Sequence, residues 1–272
     1  QSSLLGTPPS YDVVTSNEDA ACAVPFANSG GYADLEAFDI LPDPGVTGDT
    51  VEFSAFGTQN FNFYGESFTG GFNFTDDGFA FFSPSSPGPL PFINQPIPSS
   101  DDPNSLLAIL WRDFIIPAPD ATPGSVVGVS LATAGPDLSV LEYDNLELWP
   151  GGGGDSIDIE AAIRGSVSDA PGAFEIFFAF DNIVGDFSFG TIGVEDATGT
   201  NGTQFAFDDV NITDGMAICF DLVGPSLDPT VVTYQVTVDN GTEGSTITST
   251  MVSDVDTTGT VVVGKSLDVN VG

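Results

Sequence analysis

Carboxylates are the one reactive group this sequence offers in quantity. Of its 39 acidic residues 29 are Asp, and several stand in pairs: Asp76-Asp77, Asp101-Asp102 and Asp208-Asp209, the last followed closely by Asn211. Oxygen donors of this kind are what a hard cation such as Ca2+ takes, so these six aspartates are the candidate calcium ligands. None of them lies in a spaced D-x-D-x-D-G loop with a distant Glu. Asp-Asp-Gly and Asp-Asp-Pro are also ordinary turn sequences, and turn chemistry or plain solvated charge stands beside the metal reading. Other chemistries fall to what the chain lacks. It has no histidine, which removes Ser-His-Asp and Cys-His catalysis and imidazole-based zinc or copper sites. Lys265 is the one lysine, leaving little room for amine nucleophiles. A glycosidase-like pair of carboxylates would need two specific members among 39. The composition points to a non-catalytic chain, with no catalytic residue assigned.

The balance of charge narrows the partners. The formal charge is −36 over 272 residues, yet charged residues make up only 15 % and hydrophobic ones 41 %. With 23 Phe the chain has the material for a core that an acidic disordered tail lacks. Arg112, Arg164 and Lys265 cannot form a phosphate-binding stripe, which excludes nucleic acid and disfavours an anionic membrane surface. No apolar run approaches the ~20 residues needed to span a bilayer as a helix. Arg112 lies between Trp111 and Asp113, and a structural Arg112–Asp113 ion pair is the expectation, since the surrounding field repels anions. Tyr64, Trp111 and Trp149 could form a carbohydrate platform, but aromatics on strands default to core packing.

Compartment is read from the cysteines and the start of the chain. Cys22 and Cys219 both sit in apolar, strand-like contexts, and two thiols in a secreted chain pair as a rule. A Cys22–Cys219 disulfide is expected. The chain starts at Gln1 without a basic-then-apolar leader, which reads as a leader already removed. Secretion, to the extracellular space or the cell surface, is the expected localisation. Sequons at Asn73, Asn201, Asn211 and Asn240 carry little weight in a Thr- and Asn-rich chain.

No segment has sustained helical periodicity. Short alternating or wholly apolar runs recur between Gly, Pro, Asp and Asn. Ile157, Ile159, Ala161 and Ile163 alternate with Asp158 and Glu160, which predicts one dry and one wet face. Residues 174–180 and 106–111 are apolar on both faces and read as central strands. The class is all-β, a β-sandwich of jelly-roll or immunoglobulin-like type with a short C-terminal β-segment. Residues 83–103 carry seven prolines and must run over the surface in extended or turn conformations. A boundary at Gly224-Pro225-Ser226 divides a main domain, residues 1–224, from a segment, residues 225–272. That segment holds strands at 231–239, 246–252 and 260–271. So small a unit buries too little to stand alone, and its strands are expected to join the main sheet or pair with another chain.

Several motifs recur in a familiar order: Phe63-Tyr64-Gly65, the Asp77-Gly78-Phe79 hairpin, Pro103-Asn104 before an apolar strand ending in Trp111-Arg112-Asp113, Gly193-Val194-Glu195, and Gln204-Phe205-Ala206-Phe207. This order resembles the C-terminal accessory β-domain of secreted subtilisin-like serine peptidases of marine bacteria. The resemblance covers residues 33–222, and the tail from Val231 is similar to the short β-segment that follows that domain. The peptidase domain has no counterpart here. The resemblance implies an accessory, binding or structural role and transfers no catalytic residue.

Two functions follow as expectations. One is a structural or adhesive subunit that self-associates into an extracellular fibre or matrix, the tail or the N-terminal arm (residues 1–16) completing a sheet in a neighbouring copy. The other is an accessory domain that attaches a secreted peptidase to a polysaccharide, another polymer or a cell surface.

Overall fold

The computed structural model describes residues 9–23, 31–49, 52–56, 60–82, 91–123, 125–134, 137–166, 173–223, 246–254 and 261–270. It divides into two compact units, Gln1–Leu227 and Asp228–Gly272.

The first unit is a sandwich of antiparallel sheets. Its larger sheet runs β1 (Ser10–Thr15), β16 (Met216–Val223), β13 (Ile176–Val184), β12 (Ser156–Arg164), β11 (Leu138–Leu148), β10 (Ser125–Ala134), β9 (Asp120–Thr122), with β8 (Phe114–Ile115) added on β11. The other runs β15 (Gly202–Phe207), β14 (Thr191–Glu195), β7 (Leu106–Trp111), β6 (Phe79–Phe81), β5 (Phe72–Thr75), β2 (Glu52–Phe56). A small hairpin joins β3 (Phe61–Phe63) to β4 (Glu66–Phe68). Its turn residues Tyr64 and Gly65 both have positive φ, 52° and 78°, the type I′ geometry whose twist suits a two-residue hairpin.

The inner faces make the main core. Ile157, Ile159, Ala161 and Ile163 of β12, with Phe178 and Phe180 of β13, pack with Leu107 and Ile109 of β7 and Phe74 of β5. Each large side chain buried there contributes about 1.5–3 kcal/mol. The turn between β5 and β6 is fixed by Gly78 (φ 67°): a Cβ there would lie 2.3 Å from the Leu110 carbonyl oxygen. That close approach lets the Ile109 and Leu110 N–H groups donate to the Gly78 carbonyl at 3.1 and 3.0 Å.

Both sheets are also covered on their outer faces. Over the smaller sheet Ile97, from the proline-rich stretch, joins Phe79, Phe81, Leu106, Ala108 and Trp111. Over the larger sheet Cys22, Tyr32 and Leu35 pack with Val140, Ala162, Phe177, Ala179 and Cys219. The expected wet face of β12 is therefore dry: Asp158 and Glu160 are 3 % and 1 % exposed. Alternation along the strand assigned their side correctly, but a distant segment covers that side.

Cys22 and Cys219 form the disulfide, their Cα atoms 5.6 Å apart. The N-terminal arm corrects an expectation. Ser10–Thr15 pairs with β16 of the same chain, Ser10 opposite Val223 through Thr15 opposite Ile218. It completes its own sheet, and the described part of the arm is not free for a neighbour.

In the second unit β17 (Thr246–Asp254) and β18 (Val261–Asn270) pair antiparallel, Thr246 opposite Asn270 through Asp254 opposite Val261, with a register shift between Thr250 and Val252. The strand expected at 231–239 lies outside the described residues.

The disulfide closes a loop of 197 residues, which by chain entropy stabilises by up to roughly 5 kcal/mol. The double substitution Cys22→Ala/Cys219→Ala should lower the urea-unfolding free energy by about 3–5 kcal/mol, with the native fold still populated at low denaturant. A midpoint within error of the unsubstituted chain would show that the bridge contributes nothing.

Candidate functional site: a carboxylate pocket

Two asparagines shape the outer face of the larger sheet at one end. The β11–β12 register shifts between Tyr143 and Leu146, and the β12–β13 register between Ser156 and Asp158. Asn145 (φ 55°) and Asn182 (φ 48°) beside these bulges adopt the left-handed conformation, which Asn tolerates better than other side chains bearing a Cβ. Both then serve Asp158. The Asn145 N–H donates to its Oδ1 at 2.8 Å, and Asn182 Nδ2 donates to its Oδ2 at 2.5 Å. Asn145 Nδ2 also donates to Asp144 Oδ1 at 2.7 Å and to the Val126 carbonyl at 2.8 Å.

The N-terminal segment closes over this end. Asp34 caps a short 3-10 helix, Leu35–Phe38, by accepting from the Glu36 N–H at 2.9 Å. Glu142 of β11 anchors the segment: its Oε1 accepts from the Tyr32 hydroxyl at 2.8 Å, and its two oxygens accept from the Leu35 N–H at 3.2 and 3.3 Å. Between segment and sheet lies a cavity of about 220 Å³, lined by Asp34, Glu36, Glu142, Asp144, Asp158 and Asp181, with Tyr32, Val126, Asn145 and Asn182. Among the described residues six carboxylates and no basic side chain line it.

Burial governs the protonation of these groups. It pushes Glu142 up to about 8, against the opposing pull of the Tyr32 and Leu35 hydrogen bonds. Asp144 is pushed to about 7, by burial first and by Asp158 and Asp34 next. Asp158 is raised by burial in spite of its two amide donors. Glu160, beside Glu142, is raised well above the carboxylate range by burial and then by the Glu142 charge. Its oxygens are enclosed without a hydrogen bond of good geometry, and the Ala33 N–H acts on it only behind those two causes. The pocket can hold protons near neutral pH and repels anions.

The six aspartates expected as calcium ligands are placed elsewhere. Asp76 and Asp77 are buried at the β5–β6 turn, and burial pushes Asp77 up to about 8, with Asp76 adding to it. Asp77 Oδ1 accepts from the Phe114 N–H at 3.4 Å. Asp101 and Asp102 are exposed in the proline-rich loop, and Asp102 accepts from Asn104 Nδ2 at 3.1 Å. Asp208 accepts from Asn94 Nδ2 at 2.9 Å, with Asp209 exposed beside it. Among the described residues no three or more acidic or thiol side chains are arranged to hold a metal ion.

Arg112 differs from the expected ion pair. Its Nη1 donates to the backbone carbonyl of Asp186 at 2.8 Å and, weakly, to that of Phe189 at 3.5 Å. Asp113 feels the guanidinium only as a field, behind burial and Asp49, and its net shift is upward. Both residues lie in the bend between β7 and β8, where the Arg112 side chain is turned to the carbonyls of Asp186 and Phe189. Of the three aromatics weighed as a platform, Tyr64 and Trp111 are buried and Trp149 is exposed.

The pocket acids were not singled out from the sequence. The available signal was Asp158-Ile159-Glu160 on a strand expected to be half-buried, with Glu142 and Asp144 on another strand at the same spacing. No protein-family model matches the chain, and neither curated proteins nor solved structures give a match.

Asn182→Ala removes a donor from buried Asp158 and places an alanine at positive φ. It should cost about 1–3 kcal/mol in urea unfolding, and Asn182→Gly, which keeps the backbone freedom, should cost less. Equal, negligible effects would mean that Asp158 is satisfied without Asn182.

Proposed function

We propose that this chain is a non-catalytic structural or adhesive module of an extracellular assembly, joined to neighbouring copies by β-strand addition. The observation that carries the reading is the second unit. Among its described residues β17 and β18 pair only with each other. A lone two-stranded sheet is marginal in water, and each of its outer edges offers a ladder of backbone donors and acceptors. Adding that hairpin to a sheet edge of another copy satisfies both demands. The long-range disulfide supports an oxidising, extracellular setting. The lack of histidine and the single lysine support a non-catalytic role.

A specific observation favours a second reading, an accessory domain that attaches to a polymer or surface. Phe92, Ile93 and Phe189 are 49, 64 and 55 % exposed. The contacts of Asn94 with Thr191 at 3.2 Å and Asp208 at 2.9 Å bring their two segments together. Exposed apolar groups so gathered mark interaction sites. The resemblance to peptidase accessory domains points the same way.

Removing residues 228–272 separates the readings. Under strand addition the full chain sediments as oligomers or fibres, and the truncated chain sediments as a folded monomer. Identical oligomers from both would overturn strand addition by the hairpin and leave the accessory reading.

A further inference from the structure

Strand pairing forces like charges together beneath the N-terminal segment. Glu142 of β11 lies directly opposite Glu160 of β12, and Asp158 of β12 directly opposite Asp181 of β13. Side chains so paired hold their Cβ atoms roughly 4.5–5.5 Å apart, where like charges repel. Every packed element adds acid or neutral groups. β11 contributes Asp144, β10 contributes the buried Ser130 opposite Glu142, and the segment contributes Tyr32, Asp34 and Glu36. The cation nearest along β12, Arg164, is four residues from Glu160, roughly 13 Å along the strand, and its guanidinium stacks 5.6 Å from the Phe177 ring. Among the described side chains no base neutralises the row.

We propose that residues 32–38 are a proton-operated cap over this carboxylate row, closed while the row holds its protons and lifted at that end when the row ionises. The donors that hold the cap, the Tyr32 hydroxyl and the Leu35 N–H, both end on Glu142. Two ionised glutamates, each 1 % exposed and facing each other beneath Tyr32 and Leu35, repel, and moving the cover lets water screen them. The cap cannot leave, because upstream Cys22 is bound to Cys219 on β16. Opening is local and exposes the acidic end of the sheet.

The direction follows from where the protons sit. Glu142 at about 8 and Asp144 at about 7 lie above the ordinary carboxylate range near 4. The closed form binds more protons than the open one, so closure is fully favoured below that ordinary range. It is lost progressively as pH rises from that range, and the loss is complete once pH has passed through 7 to 8.

Hydrogen exchange of the full chain between pH 5 and 9, expressed as protection factors, tests this. Protection of the Leu35 amide should fall by up to about tenfold per pH unit between about pH 5 and 7 for each proton the closed form retains, and level off above about 8, while that of Phe178 in β13 holds. Glu160→Gln removes one charge at constant shape and should flatten the fall. Glu142→Gln, which keeps an oxygen acceptor for Tyr32 and Leu35, should do the same. Leu35 protection that is flat across pH, or that falls in step with Phe178, overturns the cap. So does an unaltered slope in whichever glutamine variants fold.

Discussion

Seven carboxylates are buried among the described residues, Asp76, Asp77, Glu142, Asp158, Glu160, Glu175 and Glu195, in a chain that owns three basic residues. Ion pairing cannot be the means of satisfying them. The structure uses backbone N–H groups and neutral side chains instead. Glu195 accepts from the Ser99 N–H at 2.5 Å, Glu175 from the Leu222 N–H at 2.8 Å, and Glu142 from Leu35 and Tyr32. In each case the donor belongs to a segment far away in sequence, so a carboxylate acts as a fastener between chain regions. Leaving such a group without its donor costs about 1–3 kcal/mol, more when it is charged. The loops that cover the sheets are therefore held in register by acids that propensity alone would send to the surface.

That arrangement explains why both outer faces are dry. An antiparallel sheet commonly keeps one face in water. Here the proline-rich stretch lies over the smaller sheet and the disulfide-anchored segment over the larger one. Strands β7 and β13 run apolar on both sides because both sides are covered. The Ile97 N–H donates to Gln204 Oε1 at 2.9 Å and the Thr191 hydroxyl to the Gln95 carbonyl at 2.7 Å. Polar anchors of this kind tie the covering loop to β14 and β15. The described part of the loop, residues 91–103, is part of the sandwich, a third layer without strands of its own.

The strands were legible in the sequence because their information is local. Period-two alternation in β12 and unbroken apolar runs in β7 and β13 give element type and inner face directly. The disulfide was legible too, since two apolar cysteines in one chain leave a single intramolecular pairing. The carboxylate pocket was not, and the reason is physical. Its acids come from β11, β12, β13 and the Leu35–Phe38 helix, and what makes them one site is register across bulges at Asn145 and Asn182. Register is a long-range property. Exposure is as well: Asp158 and Glu160 are polar residues on a polar-looking face until a segment more than a hundred positions away closes over them. Arg112 follows the same logic, since the carbonyls it donates to, those of Asp186 and Phe189, lie more than seventy positions away.

Protonation of the buried acids bears on assembly as well as on the fold. A formal charge of −36 would make copies of this chain repel one another, and self-repulsion also works against the compact state. The formal figure counts every carboxylate as ionised. Glu142 and Asp77 at about 8 carry mostly protons at pH 7, and Glu160 sits higher than the carboxylate range as well. Neutrality inside the fold thus lowers the charge that the surface must present. What remains outside is spread over exposed aspartates, and exposed charges separated by more than about 8 Å are largely screened at physiological ionic strength. Strand addition relies on backbone hydrogen bonds, which carry no net charge and are indifferent to this screening. Under the proposed strand addition, a chain nearly devoid of lysine and arginine would join its copies through contacts that need no opposite charge, and a sheet edge is a contact of that kind.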